Sequence, residues 1–315
     1  MISNNQVEPA SIHEQLLPLL KQVIGSTVEL VGYEVGNRHH DYLVLLAQLQ
    51  YPSLKVVVKL AGPEAPLACP FDRTATLHRL VAERTTIPMP EVLAADVSYQ
   101  HYPWRYFIKT HVPGHEWAVV CHRMNPAELS DAYRQLGEAV AQLHAIHFPT
   151  FGELSPAGEP PHEAPFLDAL QRRADAFIHS ARLRDLLFFV LERDAHLFAN
   201  VQQASLVHED LHQHNILFEQ RGGQWHLATI LDFDKAWVGH HESDLARLDL
   251  WRGMTSDAFR QGYQTIQSID PLYPQRRPIY QLFWCLEYAQ NSLEHLADTQ
   301  RLCLELGIPA IEHFD

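Results

Sequence analysis

The chain has 315 residues, 46% hydrophobic and 20% charged, with a formal net charge of −14. That length suits two domains or a two-lobed enzyme with a sizeable core, and the negative field argues against nucleic acid or anionic membrane as partners and for cationic ones, although solubility is its plainer reading. The cysteines at 69, 121, 285 and 303 form no C-x-x-C pair, so neither a zinc ribbon nor a disulfide framework is indicated. No stretch approaches the roughly 18 apolar residues of a membrane span, and no basic segment followed by an apolar run opens the chain. A cytoplasmic protein, monomer or homodimer, is the expectation.

Ser11-Ile-His-Glu14 reads as a capping box opening a helix through Leu20, with Pro18 placed to end it early. Three strands follow, Val28–Val31, Tyr42–Leu49 and Lys55–Leu60. Between the first two, the segment Gly32–Asp41 reads as a glycine-bearing turn able to lay backbone N–H groups over phosphates. Gly and Asn are also ordinary hairpin residues, and no Gly-Lys-Ser/Thr follows, so this is not a Walker A loop. Lys59 closes a strand containing three valines. Such a lysine either faces solvent on an edge strand or reaches the α- and β-phosphates of a nucleotide; Lys55 competes for the second role. Phe71–Arg84 reads as a helix with Leu77, Leu80 and Val81 on one face. Ile87–Leu93 is a proline-bearing entry to a fourth strand, and Trp104–Lys109 is a fifth, broken by Thr110–Gly114.

Beyond Gly114 the pattern turns helical. Leu136, Val140, Leu143 and Ile146 make an apolar stripe over Leu129–Ile146. Thr150–Pro165 reads as a loop, and Phe166–Phe177 and Leu183–Val201 as helices. The chain then reaches Ser205-Leu-Val-His-Glu-Asp-Leu-His-Gln-His-Asn-Ile-Leu-Phe218, followed by Thr229-Ile-Leu-Asp-Phe-Asp234. Asp210, Asn215 and Asp232 stand at the ends of short apolar segments, the layout that holds Mg²⁺ and orients a hydroxyl for phosphoryl transfer. Further helices are read over Ala258–Ile266 and Ile279–Ala297, with a last turn near Leu302.

The pattern His208-x-Asp210-x-x-x-x-Asn215, then Asp232-Phe233-Asp234, resembles the core of the aminoglycoside phosphotransferase and choline kinase group of small-molecule kinases. Protein kinases show a related H-R-D-x-x-x-x-N and D-F-G; Glu209 and Asp234 at the differing positions point to the small-molecule branch. The resemblance implies an α+β, bilobal, protein-kinase-like fold. Residues 1–112 would form an antiparallel sheet lobe ending in a hinge, and 113–315 a helical lobe. It implies ATP or GTP as donor, Mg²⁺ as cofactor and a small-molecule hydroxyl acceptor. Asp210 would accept or orient the acceptor hydroxyl, Asn215 and Asp232 would bind the metal, and Lys59 would steady the phosphates. Gly36-Asn37 resembles the nucleotide loop, and the backbone of Thr110 to Val112 would meet a purine edge. His208 would pack behind the catalytic loop, Asp234 would shape it or help with metal, and Asp244 would brace it from behind, unless Asp244 only opens a helix. One departure stands out: kinases of this fold pair the strand lysine with a helix Glu, and here the register offers Asp72.

Two other readings stay open. His208, Asp210, His212 and His214, on alternate positions of a strand, with His240-His241 nearby, would suit a metallohydrolase. A kinase-like protein that binds without turnover is the other, and a carboxylate within salt-bridge reach of Lys59 would weigh against it. The acceptor is open too. The acidic chain suits an aminoglycoside or another cationic compound. Choline would call for an aromatic cage, for which Trp117, Trp237, Trp251, Tyr263, Trp284 and Tyr288 are the candidates.

Overall fold

Helix α1 (Pro9–Ile24) buries Ile12, Leu16, Leu19 and Leu20 along one stripe, the spacing of an amphipathic helix. It begins two residues before Ser11, so Ser11 does not cap it, and it continues through Pro18 to Ile24. The computed structural model describes residues 9–38, 42–62, 65, 70–160, 164–251 and 253–314. They divide into two compact units. Unit 1 is Met1–Gly114 with two later returns, Pro156–Gly158 and Ala228–Asp234; unit 2 is His115–Ser155, Glu159–Leu227 and Lys235–Asp315.

Unit 1 is built on one antiparallel sheet. Its elements are β1 (Leu30–Arg38), β2 (Leu43–Leu49), β3 (Leu54–Ala61), α2 (Phe71–Arg84), β4 (Val92–Asp96) and β5 (Arg105–Thr110). The strand order is β1-β2-β3-β5-β4. Because side chains alternate along a strand, Leu43, Leu45, Ala47, Leu49, Val56, Val58 and Leu60 share a core with α1. The opposite parity gives Ala61 and Phe107, which pack with Phe71 and Ala75 of α2. Lys59 lies directly across from Phe107, and Lys109 across from Val57, so both lysines are on the α2 face. β1 corrects the sequence reading. The strand runs through Gly36 and Asn37 to Arg38, with a register break between Val35 and Arg38. Much of the expected glycine turn is therefore strand, and positions 39–41 lie outside the described residues.

Unit 2 is mainly helical. It comprises β6 (His115–Glu116), α3 (Trp117–Val120), α4 (Pro126–His144), β7 (His147–Phe148), α5 (Phe166–Phe177), α6 (Ala181–Arg193), β8 (Ala204–Val207), β9 (Ile216–Arg221), the start of β10 (Gln224–Ile230), β11 (Trp237–Gly239), α7 (Glu242–Leu250), α8 (Asp257–Tyr263), α9 (Tyr273–Tyr288) and α10 (Leu293–Glu305). Two small sheets have the orders β10-β9-β6 and β11-β8-β7. α4 starts earlier than its apolar stripe suggests, because Asn125 accepts from the N–H groups of Ala127 and Glu128 while Glu128 bonds back to the Asn125 N–H, a complete capping box. α6 stops at Arg193 and gives way to a 3-10 turn, Ala195–Phe198. The single helix read over Ile279–Ala297 is two: Ala289 turns left-handed (φ 43°), and Ser292 caps α10 through the His295 N–H.

α4 and α8 cross at touching backbones. A Cβ on Gly137 would lie 2.1 Å from the Phe259 carbonyl oxygen, and one on Gly262 would lie 2.2 Å from that of Arg134. Neither contact can be relieved by a rotamer change. Gly137→Ala is expected to destabilise the protein by about 3 kcal/mol, at the upper end of overpacking effects. A urea-unfolding midpoint unchanged from wild type would show that the helices have room to separate.

Candidate active site

Lys55 and Lys59 lie on the same face of β3, and burial distinguishes the two candidates. Lys55 is exposed, whereas Lys59 is 7% exposed. The Lys59 Nζ lies 2.9 Å from Asp234 Oδ2 and 3.2 Å from Asp232 Oδ1, and 4.6 Å from the centre of the Tyr42 ring. Burial alone would depress this ammonium, but Asp234 and Asp232 overcome it and hold it well above the ordinary lysine range. The other Asp234 oxygen accepts from Thr74 Oγ1 at 3.0 Å. Phe233 between the carboxylates is buried edge-on against His78 of α2, at 5.6 Å. Asp232 itself is left-handed, with φ 64°, a strained conformation for a non-glycine residue and one that clusters at functional sites.

The helix partner expected for Lys59 is corrected. Asp72 accepts from the Arg73 N–H, and its carboxylate is not an ion-pair partner of Lys59. The rotation of α2 buries Thr74 instead, so the helix holds Asp234 by a hydroxyl and Asp234 holds the lysine. At the end of β5 the Thr110 N–H is committed to the Glu91 carbonyl, the Thr110 hydroxyl accepts from the Glu91 N–H, and the His111 N–H donates to the Lys55 carbonyl. The Thr110 N–H is thus taken, and Val112 is the next residue of that segment with a backbone N–H to offer. Gly36 lies on β1, where a Cβ would come within 3.3 Å of the Val44 carbonyl.

Lys109 was not singled out by sequence. It is 6% exposed, and among the described residues it has no hydrogen-bond or ion-pair partner, only the Phe107 ring 5.7 Å away. Burial, with the charge of Lys59 adding to it, pushes its ammonium down to about 8.

In unit 2 the chain leaves β8 at Val207 and forms a loop to Asn215. Asp244, on the first turn of α7 and fully buried, organises it. Its carboxylate accepts from the His208 N–H at 2.7 Å and the Glu209 N–H at 2.8 Å, and lies 3.1 Å from His144 Nε2. Burial would raise this carboxyl, but His144 and the backbone donors hold it below the usual range. Asp244 therefore does more than open its own helix. His208 is buried, and its Nδ1 accepts from the Asp210 N–H. Glu209 is left-handed (φ 58°), and its carboxylate is used three times, by Trp237 Nε1, Ser243 Oγ and Arg247 Nη2. Arg247 Nη1 also reaches Asp210 Oδ1 at 3.4 Å. Lys235 Nζ stands 3.8 Å from the same oxygen and 3.2 Å from Glu287. Asn215 donates from Nδ2 to the Asp210 carbonyl at 3.0 Å, which fixes the amide and leaves Oδ1 as its donor atom for a metal.

The metallohydrolase cluster is not formed. Residues 208–215 are loop rather than strand, so alternate side chains do not share a face. His208 turns inward and His214 turns outward to Glu116. Among the described residues only His240, His241 and Glu242 gather metal-capable atoms within 4.8 Å. There Arg276 already occupies both Glu242 oxygens at 2.7 Å, and His240 Nδ1 meets Tyr280 Oη at 2.6 Å. An arginine in that position repels a cation, so this group does not suit one.

Residues 29–279 match the model of the phosphotransferase enzyme family, APH, and the chain belongs to that family. It is similar to a probable ketoamine kinase of Pasteurella multocida, 26% identical over 235 residues, covering 70% of this chain and 74% of that one. Among solved structures it is similar to aminoglycoside phosphotransferase APH(4)-Ia, with a TM-score of 0.63 at 16% identity, covering 95% of this chain and 97% of that one. An ethanolamine kinase of Plasmodium vivax gives a TM-score of 0.61 at 12% identity, covering 96% and 91%. The fold is the α+β protein-kinase-like fold of these enzymes, a sheet unit followed by a helical one.

The isolation of Lys109 has a measurable consequence. With a folded-state value near 8 against about 10.4 unfolded, its burial opposes folding by on the order of 3 kcal/mol below pH 8. Between pH 8 and 10 the unfolded chain holds a proton that the native state has released, so this penalty fades as pH rises. Lys109→Met is expected to raise stability at pH 7 and to lose that advantage by pH 10. Denaturant titrations at the two pH values check it, and a pH-independent difference would refute it.

Proposed function

We propose that this chain is a small-molecule kinase that moves the γ-phosphate of ATP or GTP to a hydroxyl of a small, amine-bearing acceptor. The observation that carries the reading is the pair of prepared carboxylate sites: Lys59 held by Asp232 and Asp234, and Asp210 held by a loop hung from Asp244. The two carboxylates on Lys59 also favour an active kinase over a binding-only relative.

In this reading Lys59 steadies the α- and β-phosphates, and the purine edge meets the backbone at Val112. Asp232 and the Asn215 amide oxygen are hard oxygen donors of the kind Mg²⁺ prefers. They would hold that ion, which when bound supplies charge neutralisation to the phosphates. Asp234, pinned by Thr74 and Lys59, keeps its neighbour in place. Asp210 receives the acceptor hydroxyl. As the acceptor oxygen bonds to phosphorus, the bridging P–O bond to the nucleoside diphosphate breaks, and the hydroxyl proton passes to the Asp210 carboxylate and on to water. Arg247 and Lys235 sit on Oδ1, which leaves Oδ2 the less encumbered oxygen for the acceptor.

Of the aromatics weighed for a cage, Trp117, Trp237 and Tyr263 are core residues. Trp251, Trp284 and Tyr288 line a cavity of about 390 Å³ with Gln213, Glu294 and Asp298. Trp284 stacks on Tyr288 at 5.2 Å and meets Trp251 edge-on at 5.1 Å. The Trp251 ring is 6.4 Å from that of His212, on the Asp210 loop. Aromatic faces with carboxylates at the margin suit a protonated amine on a hydroxylated body. Ketoamines and aminoglycosides, named in two of the relatives, both fit that description.

The test is phosphate transfer from Mg²⁺–ATP and Mg²⁺–GTP to fructosyl-lysine, an aminoglycoside set and ethanolamine. Asp210→Asn is expected to lower kcat by roughly 10³, within the range for loss of a general base, while keeping the rise in thermal midpoint produced by Mg²⁺–nucleotide. Turnover equal to wild type in that variant would remove Asp210 from the role. Failure of wild type with every acceptor and both nucleotides would count against kinase activity.

A further inference from the structure

We propose that Lys109 reads the base of the phosphoryl donor and that the donor is a guanine nucleotide in preference to an adenine one. The inference rests on the kinase reading above, in which a purine lies beside the end of β5.

Three observations carry it. The first is isolation. Lys109 is nine-tenths buried, its neighbours across the strands are Val57 and Val92, and its only close partner among the described residues is the Phe107 ring. An ammonium held mostly out of water with no acceptor among the described residues is costly, and its Nζ, which is not wholly closed off, can take an acceptor from outside the fold. Burial and the Lys59 charge depress its ammonium, and the more distant Asp232 and Asp234 offset this only in part.

The second is position. Lys59 pairs across the sheet with Phe107, and Lys109 lies two residues further along the same face of β5, about 7 Å toward the strand end. Lys109 immediately precedes Thr110 and stands three residues before Val112. With the phosphates at Lys59 and the base at Val112, Lys109 lies on the base side.

The third is hydrogen-bond polarity. An ammonium has three donors and no acceptor. At position 6 of a purine, guanine presents a carbonyl oxygen and adenine an amino group. Adenine would set donor against donor and leave Lys109 desolvated. Guanine would supply the missing acceptor in a charge-assisted bond, the stronger kind.

The experiment is calorimetric binding of the Mg²⁺ complexes of guanosine, inosine and adenosine 5′-(β,γ-imido)triphosphates to the full chain. Guanosine and inosine analogues, which share the 6-oxo group, are expected to bind roughly ten- to a hundredfold tighter than the adenosine analogue, the discrimination of one good polar contact to a base. Lys109→Met should bring all three within about threefold, chiefly by weakening the 6-oxopurines. Equal or tighter binding of the adenosine analogue to wild type would overturn the assignment while leaving the kinase reading intact. A guanine preference that survives Lys109→Met would overturn the role of Lys109. Binding of none of the three would fail the nucleotide site itself, and this inference with it.

Discussion

One ammonium between two carboxylates sets the terms for the first unit. Lys59 can meet Asp232 and Asp234 only because β3 alternates with the right parity and because a segment more than a hundred residues later in the chain returns to the same unit. Every neighbour serves that arrangement. Thr74 pins the far oxygen of Asp234, Phe233 anchors the segment under α2, and Tyr42 gives the ammonium an aromatic face. A half-shielded ion cluster is not in itself a strong source of stability. Retaining two carboxylates on one lysine leaves a net negative charge, which makes better sense as preparation for chemistry than as a fastening.

The second unit solves a different problem with the same economy. A loop carrying Asp210 must hold its shape without regular secondary structure, so its backbone N–H groups need buried acceptors. Asp244 supplies two of them from one side chain. Glu209 then turns left-handed so that its carboxylate points into the body of the unit and ties β11 to α7. Asp244 and Arg247 are one turn apart on α7 and so share a face: one holds the loop backbone, the other reaches the Asp210 carboxylate.

Much of this is legible in the sequence alone. The two motifs stand in sequence as short apolar strands ending in oxygen-bearing residues, and α2 and α5 have the limits that their patterns suggest. What was hidden depends on rotation and on distant pairing. Which of Asp72 and Thr74 faces the strand lysine is a matter of about 160° around α2, since two helical positions differ by roughly twice 100°. Lys109 reads as the last polar residue of a strand, and only its parity with Lys59 and the absence of a hydrogen-bond or ion-pair partner among the described residues set it apart. Arg247 could have been noticed from its spacing to Asp244. The break between α9 and α10 was masked by an apolar pattern that continues across it, while the left-handed turn falls on an alanine, a residue that gives no warning.

The divided make-up of unit 1 bears on how the chain matures. Its sheet is complete once residue 114 has been made, but the carboxylates that neutralise Lys59 belong to a segment synthesised over a hundred residues afterwards. During synthesis the early sheet therefore carries a buried lysine without its ion partners, alongside a second one in Lys109. Contacts of such long sequence separation form late and slow folding. The sheet unit is, in this sense, finished by the half of the chain that follows it, and an N-terminal fragment ending at residue 114 would contain the five strands of its sheet without the charges that settle Lys59.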